Sequence, residues 1–210
     1  MELYFSPLAC SMATRIAFYE AGGKADYTQV DTKAKRLADG SDFLPVNQMG
    51  QVPVLRTDDG ALLTENAAIL QYVADRYPDS GLAPQDGYAR YDLQRWLNFI
   101  TSELHKVVFI PLLDPKAPEG AKAYAREKAP PRFALLDRHL EGRVYLLDRF
   151  TIADAYLVTV LNWGRASGVD LAPWPSLLAY FKRMLERPSV AKAVGEEFTL
   201  YREEQARKAA

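Results

Sequence analysis

The amino-acid sequence predicts two domains, an α/β domain over residues 1–78 and an all-α domain over residues 86–210. In the first 80 residues, short β-branched and aromatic runs alternate with segments of helical periodicity, in the order β-α-β-α-β-β-α. Residues 77–84 then have the proline, glycine and serine content of a linker. No strand pattern follows this linker, so the second domain is predicted to be all helical.

The first strand and the first helix flank the only cysteine of the chain. Residues 2–5 predict a strand, a Ser-Pro pair interrupts it, and residues 10–20 predict a helix that ends at two glycines. Cys10 is therefore expected in the first helical turn, where unpaired N–H groups and the helix dipole favour a reactive thiolate. A small buried hydrophobic side chain is the alternative, because free cysteines are often buried.

The rest of the first domain continues the alternation. Residues 27–31 predict a second strand, and the polar residues 32–42 predict a loop with a short helix. Residues 50–56 predict a third strand that pairs with residues 62–63 across an Asp-Asp-Gly turn. A helix is predicted from residue 67 to residue 77, with apolar side chains at helical spacing.

This order of elements, with Pro53 at the start of the third strand, predicts a thioredoxin-like fold. A proline inside a central strand would remove a hydrogen-bond donor, so it belongs at a strand start or edge. A cis Val52–Pro53 bond would leave the Val52 backbone available to an extended, peptide-like ligand. An ordinary trans proline at a strand edge is the alternative.

The start of the helix at Thr64-Glu65-Asn66 predicts a site for an amino-acid-like ligand. A helix N-terminus offers free N–H groups to an anion, and Asn66 adds a side-chain donor. Glu65 is suited to accept a hydrogen bond from an ammonium group. The alternative is an ordinary helix start with Thr64 as the N-cap.

A long helix over residues 88–110 opens the second domain. Asn98, Ser102, His105 and Phe109 follow one another at steps of four, three and four, so they are expected on one face. This polar face with an aromatic end suits a pocket wall. A surface or hydrogen-bonded histidine is the alternative for His105.

Four further helices are predicted, over residues 120–141, 155–166, 173–185 and 188–194. A proline pair interrupts or kinks the first of them. Thr151 and Asp154 form a pattern close to a capping box before the second, whose nearly uniform apolar character indicates the buried centre of the domain. The charged residues 196–210 are expected to fray.

Composition excludes several classes of protein. The net charge of −1 comes without a basic stripe, so nucleic acid is not an expected partner. One cysteine excludes an intrachain disulfide, and two distant histidines, His105 and His139, predict no metal site. Neither a signal peptide nor an apolar run of the ~20 residues that span a membrane is visible. No membrane association is expected, and a reducing, cytoplasmic setting suits a free thiol.

Taken together, these motifs resemble the cytosolic glutathione S-transferases, and most closely their bacterial beta class. The resemblance rests on Cys10-Ser11 after the first strand, on the segments at residues 51–55 and 63–69, and on residues 96–99 and 102–106 of the long helix. It implies the glutathione S-transferase fold and transfer of the glutathione thiol to hydrophobic electrophiles, in detoxification. It also implies glutathione as a co-substrate and a homodimer.

The resemblance further implies roles for individual residues. The glutathione site would comprise Cys10, Lys35, Val52, Pro53, Glu65, Asn66, Asn98, Ser102, Glu103 and His105. The pocket for the electrophile would comprise Leu8, His105, Lys106 and Phe109. The candidate catalytic residues are Cys10, Ser11 and His105, with Tyr4 as a further competitor because some family members use a tyrosine.

Within this implied site, each part of glutathione has a partner. Val52 would pair with the cysteinyl backbone, Cys10 would meet the sulfur, and Lys35 would lie near the glycine carboxylate. Glu65 and Asn66 would hold the γ-glutamyl end, as their chemistry also suggests. Residues of the long helix would reach the ligand partly across the dimer interface.

The chain also departs from the beta-class pattern. Leu8 stands where many members have glycine, and Ala13-Thr14 and Arg15 stand where they have Ser-Pro and His. A bulky Leu8 is expected to narrow the pocket mouth. Two alternative functions stay open, a monothiol glutaredoxin-like oxidoreductase, because the motif at Cys10 has no second cysteine, and a non-catalytic glutathione-fold binding protein.

Overall fold

The computed structural model describes residues 1–209 and divides into two compact units. One unit comprises Met1–Leu82 together with the last helix, from Pro188 onward, and the other comprises Ala83–Arg187. The boundaries predicted from the sequence, 1–78 and 86–210, differ from these units in two respects: the division falls between Leu82 and Ala83, inside the predicted linker, and the last helix groups with the α/β unit.

The first unit contains the strands β1 (Glu2–Phe5), β2 (Asp26–Asp31), β3 (Arg36–Leu37), β4 (Val54–Arg56) and β5 (Leu62–Thr64), with the helices α1 (Met12–Glu20) and α2 (Asn66–Arg76). The second unit contains α3 (Gly87–Phe99), α4 (Ile110–Leu113), α5 (Glu119–Leu140), α6 (Ile152–Leu161), α7 (Gly164–Ser167) and α8 (Pro175–Leu185). A π-helical stretch, Ile100–Phe109, joins α3 to α4, and α9 (Pro188–Ala209) returns to the first unit.

The five strands form one mixed sheet in the order β3-β2-β1-β4-β5. β1 lies at the centre, parallel to β2 and antiparallel to β4, and the buried Leu3, Tyr4 and Phe5 anchor it. The predicted α/β domain is thus confirmed, and the described part of the second unit is helical as predicted. The short helix predicted within residues 32–42 is wrong, because this segment turns back and pairs with β2 as the strand β3. Because β1 ends at Phe5, the loop that follows leaves the sheet from its central strand.

The first helix begins later than the sequence predicts. α1 starts at Met12 with Ser11 as its N-cap, so Cys10 precedes the helix instead of lying in its first turn. The reason is local, because the preceding loop closes as a turn, with the Ala9 N–H donating to the Ser6 carbonyl at 3.1 Å. The Met12 N–H then donates to the Ala9 carbonyl at 3.0 Å.

Two helix boundaries in the second unit also differ from prediction. α5 continues through Pro130 and Pro131, where the sequence predicts an interruption or a kink. The apolar helix begins at Ile152 and ends at Leu161, so residues 155–166 are not one helix.

The capping box before α6 is confirmed. The Thr151 N–H donates to Asp154 Oδ2 at 2.9 Å, and the Leu146 N–H donates to Asp154 Oδ1 at 2.9 Å. The Tyr180 hydroxyl also donates to this fully buried carboxylate, at 3.0 Å. Asp154 therefore joins the helix start to the preceding loop and to α8.

The charged tail is helical rather than frayed in the described residues. α9 continues to Ala209, and Val190, Ala193 and Glu197 on one of its faces are fully buried. Further along, Gln29 donates to Glu204 at 3.0 Å and Lys208 pairs with Asp31 at 3.1 Å. The prediction of fraying is wrong because these contacts tie α9 to the α/β unit.

Candidate active site

The loop between β1 and α1 carries Cys10 and is closed by Ser11. The Ser11 hydroxyl accepts a hydrogen bond from the Ser6 N–H at 3.3 Å and donates one to the Ser6 carbonyl at 3.3 Å. Ser11 is fully buried. Its hydroxyl therefore joins the two ends of the loop from the inside, and its suggested role in catalysis stays a prediction.

Cys10 lies against the residue that precedes Pro53. The Cys10 thiol donates a hydrogen bond to the Val52 carbonyl at 3.3 Å, and Cys10 is only partly buried. The Val52–Pro53 bond is cis, the isomer that the sequence left open. The structure thus brings together three predicted site residues, Cys10, Val52 and Pro53.

Tyr4 is engaged away from this loop. Its hydroxyl donates to Glu2 Oε2 at 2.8 Å and accepts from Arg56 Nη2 at 3.0 Å. Burial raises the pKa of Tyr4 above its ordinary value, so the phenol keeps its proton, and that proton is already donated to Glu2. These contacts favour Cys10 over Tyr4 as the residue that stabilises the glutathione thiolate.

The start of α2 differs from an ordinary capped helix. Glu65, not Thr64, is the N-cap, and its backbone has the left-handed φ of +68° without a side-chain capping bond. Asn66 is buried, and its Oδ1 accepts a hydrogen bond from the Thr14 hydroxyl at 3.2 Å. The buried Nδ2 of Asn66 has no partner. An unmet buried donor costs ~1–3 kcal/mol, so a ligand acceptor at this position would be favoured.

Lys35 lies at the loop that leads to Val52. Its Nζ donates to the Gly50 carbonyl at 2.8 Å, and its side chain crosses the face of Gly50. A Cβ at residue 50 would lie 2.5 Å from Lys35 Cδ, and Gly50 also has a φ of +59°. This position therefore favours glycine, and the Lys35 ammonium is bound at Gly50, two residues before Val52.

Leu8, Lys35 and Glu65 share a backbone property. They are the non-glycine residues with positive φ that the described part of the chain contains. Each costs ~1–3 kcal/mol of strain, which persists where surrounding structure requires it and is concentrated at functional sites. All three were assigned to the site from the sequence, although for other reasons.

The predicted polar face of the long helix is divided in the structure. Asn98 and Ser102 are exposed, whereas His105 is 6% exposed and Phe109 is fully buried. Phe109 packs against Trp163, with ring centroids 5.7 Å apart. The α-helical spacing fails here because Ile100–Phe109 is π-helical, with i→i+5 bonds that change the phase of the side chains.

Two contacts in the helical unit were not visible in the sequence. His105 Nδ1 lies 2.7 Å from the Tyr156 hydroxyl, and Glu103 forms an ion pair with Arg132. Both partners are far away in the sequence, so no local pattern identifies them. Lys106 is exposed.

His105 is expected to stay neutral at physiological pH. Burial, assisted by the Lys106 charge, lowers its pKa from 6.5 to about 4. The unfolded chain binds the proton more readily between these values, so the free energy of unfolding should fall as pH falls through this window. In an NMR titration, the His105 ring resonance should be constant at neutral pH and move only near pH 4. A midpoint near 6.5 would contradict the buried, neutral ring.

The described residues contain no group of three or more His, Cys, Asp or Glu side chains arranged to hold a metal ion. They also contain no helix that is long and apolar enough to cross a membrane.

A thioredoxin-like α/β unit with a cis-proline beside a cysteine loop, together with an all-helical unit, defines a class of glutathione-dependent enzymes. Family models agree, since the glutathione S-transferase N-terminal domain matches residues 2–75 and the C-terminal domain matches residues 99–188. The chain therefore belongs to the glutathione S-transferase family, as its motifs suggested.

Individual relatives are similar over nearly the whole chain. Glutathione S-transferase GstA of Escherichia coli O157:H7 is 43% identical, over 94% of this chain and 98% of the relative. A sphingomonad glutathione S-transferase complexed with glutathione has a TM-score of 0.89 at 43% identity, covering 94% of this chain and 98% of the other. A beta-class enzyme from Sphingomonas chungbukensis has a TM-score of 0.89 at 42% identity, with the same coverage. These relatives confirm the beta-class resemblance and glutathione conjugation as the activity.

Proposed function

We propose that glutathione binds along Val52 with its γ-glutamyl end at α2 and its sulfur at Cys10, and that this site serves both conjugation and thiol–disulfide exchange. The observation that carries the proposal is the buried, unpaired Nδ2 of Asn66. It is a donor at a helix N-terminus, next to the strained carboxylate residue Glu65. The α-carboxylate and α-ammonium groups of a γ-glutamyl residue match this donor and this acceptor.

The proposed positions of the cysteinyl and glycine parts of glutathione rest on the Val52 backbone and on Lys35. The Val52 N–H and carbonyl are suited to pair with the cysteinyl unit as a strand pairs with its neighbour. Glutathione would then take the place of the Cys10 thiol at the Val52 carbonyl, which frees the thiol to donate to the glutathione sulfur. The Lys35 ammonium is the cation proposed for the glycine carboxylate.

The site must favour the thiolate of glutathione, because a thiol of pKa ~8.5 is mostly protonated at neutral pH. A hydrogen bond from the Cys10 thiol and the nearby N-terminus of α1 both stabilise the developing negative charge. The thiolate then attacks a small hydrophobic electrophile. Lys106 and the neutral His105 are proposed for the electrophile side, with Leu8 limiting its size.

Disulfide exchange uses Cys10 itself as the nucleophile. The Cys10 thiolate attacks a disulfide, forms a mixed disulfide and releases one thiolate. A glutathione thiolate then attacks the mixed disulfide and restores Cys10, and further exchange yields oxidised glutathione. No second cysteine is needed, which agrees with the single cysteine of the chain.

Paired assays test the proposed function. One follows conjugation of glutathione to 1-chloro-2,4-dinitrobenzene, the other follows glutathione-dependent reduction of hydroxyethyl disulfide, and calorimetry measures glutathione binding. Both activities with saturable glutathione support the proposal. Exchange without conjugation would favour the glutaredoxin-like alternative, and binding without either activity would favour the non-catalytic one.

We also propose a cytoplasmic homodimer. Tyr88 and Tyr91, one helical turn apart on α3, both expose most of their surface, and Met49 of the α/β unit is 72% exposed. Neighbouring exposed apolar side chains are the kind of surface that a protein interface covers. Stable dimers bury at least ~1,200 Å² in total. Sedimentation at micromolar concentration should therefore give about twice the 23.6 kDa of one chain. A single species at the mass of one chain would overturn this prediction.

A further inference from the structure

Glu197 is a buried carboxylate of α9 that contacts the Cys10 loop. It is fully buried, and its two oxygens have different partners. Oε2 accepts a hydrogen bond from the Leu8 backbone N–H at 2.7 Å, and Oε1 accepts one from Arg15 Nε at 2.9 Å. The carboxylate therefore joins the loop to α1, from a helix almost 190 residues away.

Arg15 orients this carboxylate and supplies the opposite charge. Its guanidinium lies 4.4 Å from the centroid of the Phe5 ring and 3.9 Å from that of Tyr27, so it is held between two aromatic faces. Arg15 Nη1 also contacts Glu196 at 3.3 Å. Because Arg15 is held in place, its hydrogen bond to Oε1 fixes the orientation of the Glu197 carboxylate. The other oxygen, Oε2, is then directed to the Leu8 N–H.

Leu8 is the residue that requires such a contact. Its φ of +60° lies in the left-handed region, which side-chain-bearing residues adopt rarely and at a cost. Glycine adopts this conformation freely, whereas a side chain at Cβ makes it costly. A hydrogen bond from the Leu8 N–H to an ionised carboxylate is stronger than a neutral one, so it stabilises Leu8 in this costly conformation.

The conformation of Leu8 sets the direction of the residues that follow. Ser11 closes the loop at its base through Ser6, and Glu197 holds it at Leu8. Cys10 lies between these two fixed points, with its thiol on the Val52 carbonyl. A change at Leu8 therefore moves Cys10 relative to Val52.

We propose that Glu197 is a positioning residue of the active site: by holding Leu8 in the left-handed conformation, it sets where Cys10 presents its sulfur to glutathione. The inference rests on the proposed function for its effect on rate. Glu197 would thus belong to the active site although it lies near the C-terminal end of the chain and is not proposed to contact glutathione itself.

Protonation should weaken this contact. Burial raises the pKa of Glu197 to about 7, against the opposing effect of Arg15. The charged or titratable groups around the pair are Arg15 and Tyr19 of α1, Tyr27 of β2 and Glu196 of α9. The folded protein binds more protons than the unfolded chain between pH 4.5 and about 7, so stability falls as pH rises through this window. The contact with Leu8 instead strengthens, because the carboxylate is the better acceptor.

Four variants test the proposal, with folding checked by circular dichroism: Glu197→Gln, Glu196→Gln, Leu8→Gly and the double variant Leu8→Gly/Glu197→Gln. Glu197→Gln should lower kcat for both activities ~10-fold or more, because small displacements of a reacting group have large effects on rate. Glutathione affinity should change less than ~2-fold, since the proposed γ-glutamyl contacts are intact. Glu196→Gln, which also loses a contact to Arg15, should stay within ~2-fold of the wild type in kcat.

Glycine at residue 8 supplies the decisive comparison. In the Leu8→Gly background, Glu197→Gln should lower kcat only ~2-fold, because glycine needs no contact to hold a positive φ. The proposal is overturned if Glu197→Gln lowers kcat no more than Glu196→Gln, if it lowers affinity instead of kcat, or if its effect is the same in both backgrounds.

An NMR titration of the wild-type protein gives a second test that requires neither a variant nor activity. The Leu8 amide resonance should move with a midpoint near pH 7, as Glu197 titrates, and the Cys10 amide should move with the same midpoint. If Leu8 moves and Cys10 does not, the positioning role is wrong even where the proposed function holds. If both amides move together but the protein has neither enzymatic activity, only the proposed function is overturned.

Discussion

Replacing Glu65 with glutamine is expected to weaken glutathione binding by about 2–5 kcal/mol, the largest loss of affinity for a single substitution in the α/β unit. Glu65 is exposed in the structure, so the pair becomes desolvated only when glutathione covers it. The substitution then leaves the covered ammonium without its counter-charge, and losses at such covered pairs are ~2–5 kcal/mol. The substitution keeps the size of the side chain at the strained N-cap of α2. Calorimetry of the wild-type and Glu65→Gln proteins with glutathione measures the difference directly.

A glutathione analogue without the α-amino group separates a direct contact from a general defect. If Glu65 accepts from the ammonium, the analogue should bind the wild-type protein weakly and lose little more affinity in the Glu65→Gln variant. Full, additive losses from the analogue and from the substitution would show that Glu65 acts elsewhere. Unchanged affinity of the variant for glutathione would remove Glu65 from the site altogether.

The sequence identifies the site residues of the α/β unit better than it identifies their geometry. Cys10, Val52 and Pro53 are recognisable from local motifs, and the structure brings them together. The cis isomer at Pro53 and the positive φ of Glu65 depend on the surrounding fold, so residue types alone do not determine them. The unpaired Nδ2 of Asn66 depends on Thr14, a residue of another helix.

Glu197 shows why charged segments are difficult to interpret from sequence. Glutamate is rarely buried unless it is paired, so the Glu-rich tail predicts an exposed, frayed end. Its partners, Arg15 and the Leu8 N–H, lie in the first 15 residues and no local pattern connects them. The signal that was present is the helical spacing of Val190 and Ala193 on the same face as Glu197.

The prediction that the polar residues of the long helix share one face is wrong for a different reason. The spacing of Asn98, Ser102 and His105 is correct for an α-helix, but the chain winds as a π-helix from Ile100 to Phe109. π-Helical segments are rare and often lie near functional residues. A motif can therefore identify His105 while the periodicity places it on the wrong surface.

Replacing Cys10 with alanine is expected to abolish glutathione-dependent disulfide exchange. Cys10 is the only cysteine, so the variant has no thiol with which to form a mixed disulfide. Conjugation should fall only in part, because glutathione supplies its own sulfur nucleophile and the N-terminus of α1 still stabilises its thiolate. The two assays on one preparation of the variant measure this difference, and Cys10→Ser is the matched control because it restores a hydrogen-bond donor without restoring a thiol.

If Cys10 is the nucleophile of disulfide exchange, its sulfur in the wild-type protein should also be open to chemical modification. Mild oxidation in the presence of glutathione should add the mass of one glutathione, and a reductant should remove it. Glutathione should also protect Cys10 from a maleimide, because its sulfur and the Val52 backbone would occupy the space around the thiol. Full exchange activity in Cys10→Ala would show that Cys10 is not the nucleophile. If Cys10→Ser recovers conjugation but not exchange, the thiol acts as a hydrogen-bond donor in one reaction and as the nucleophile in the other.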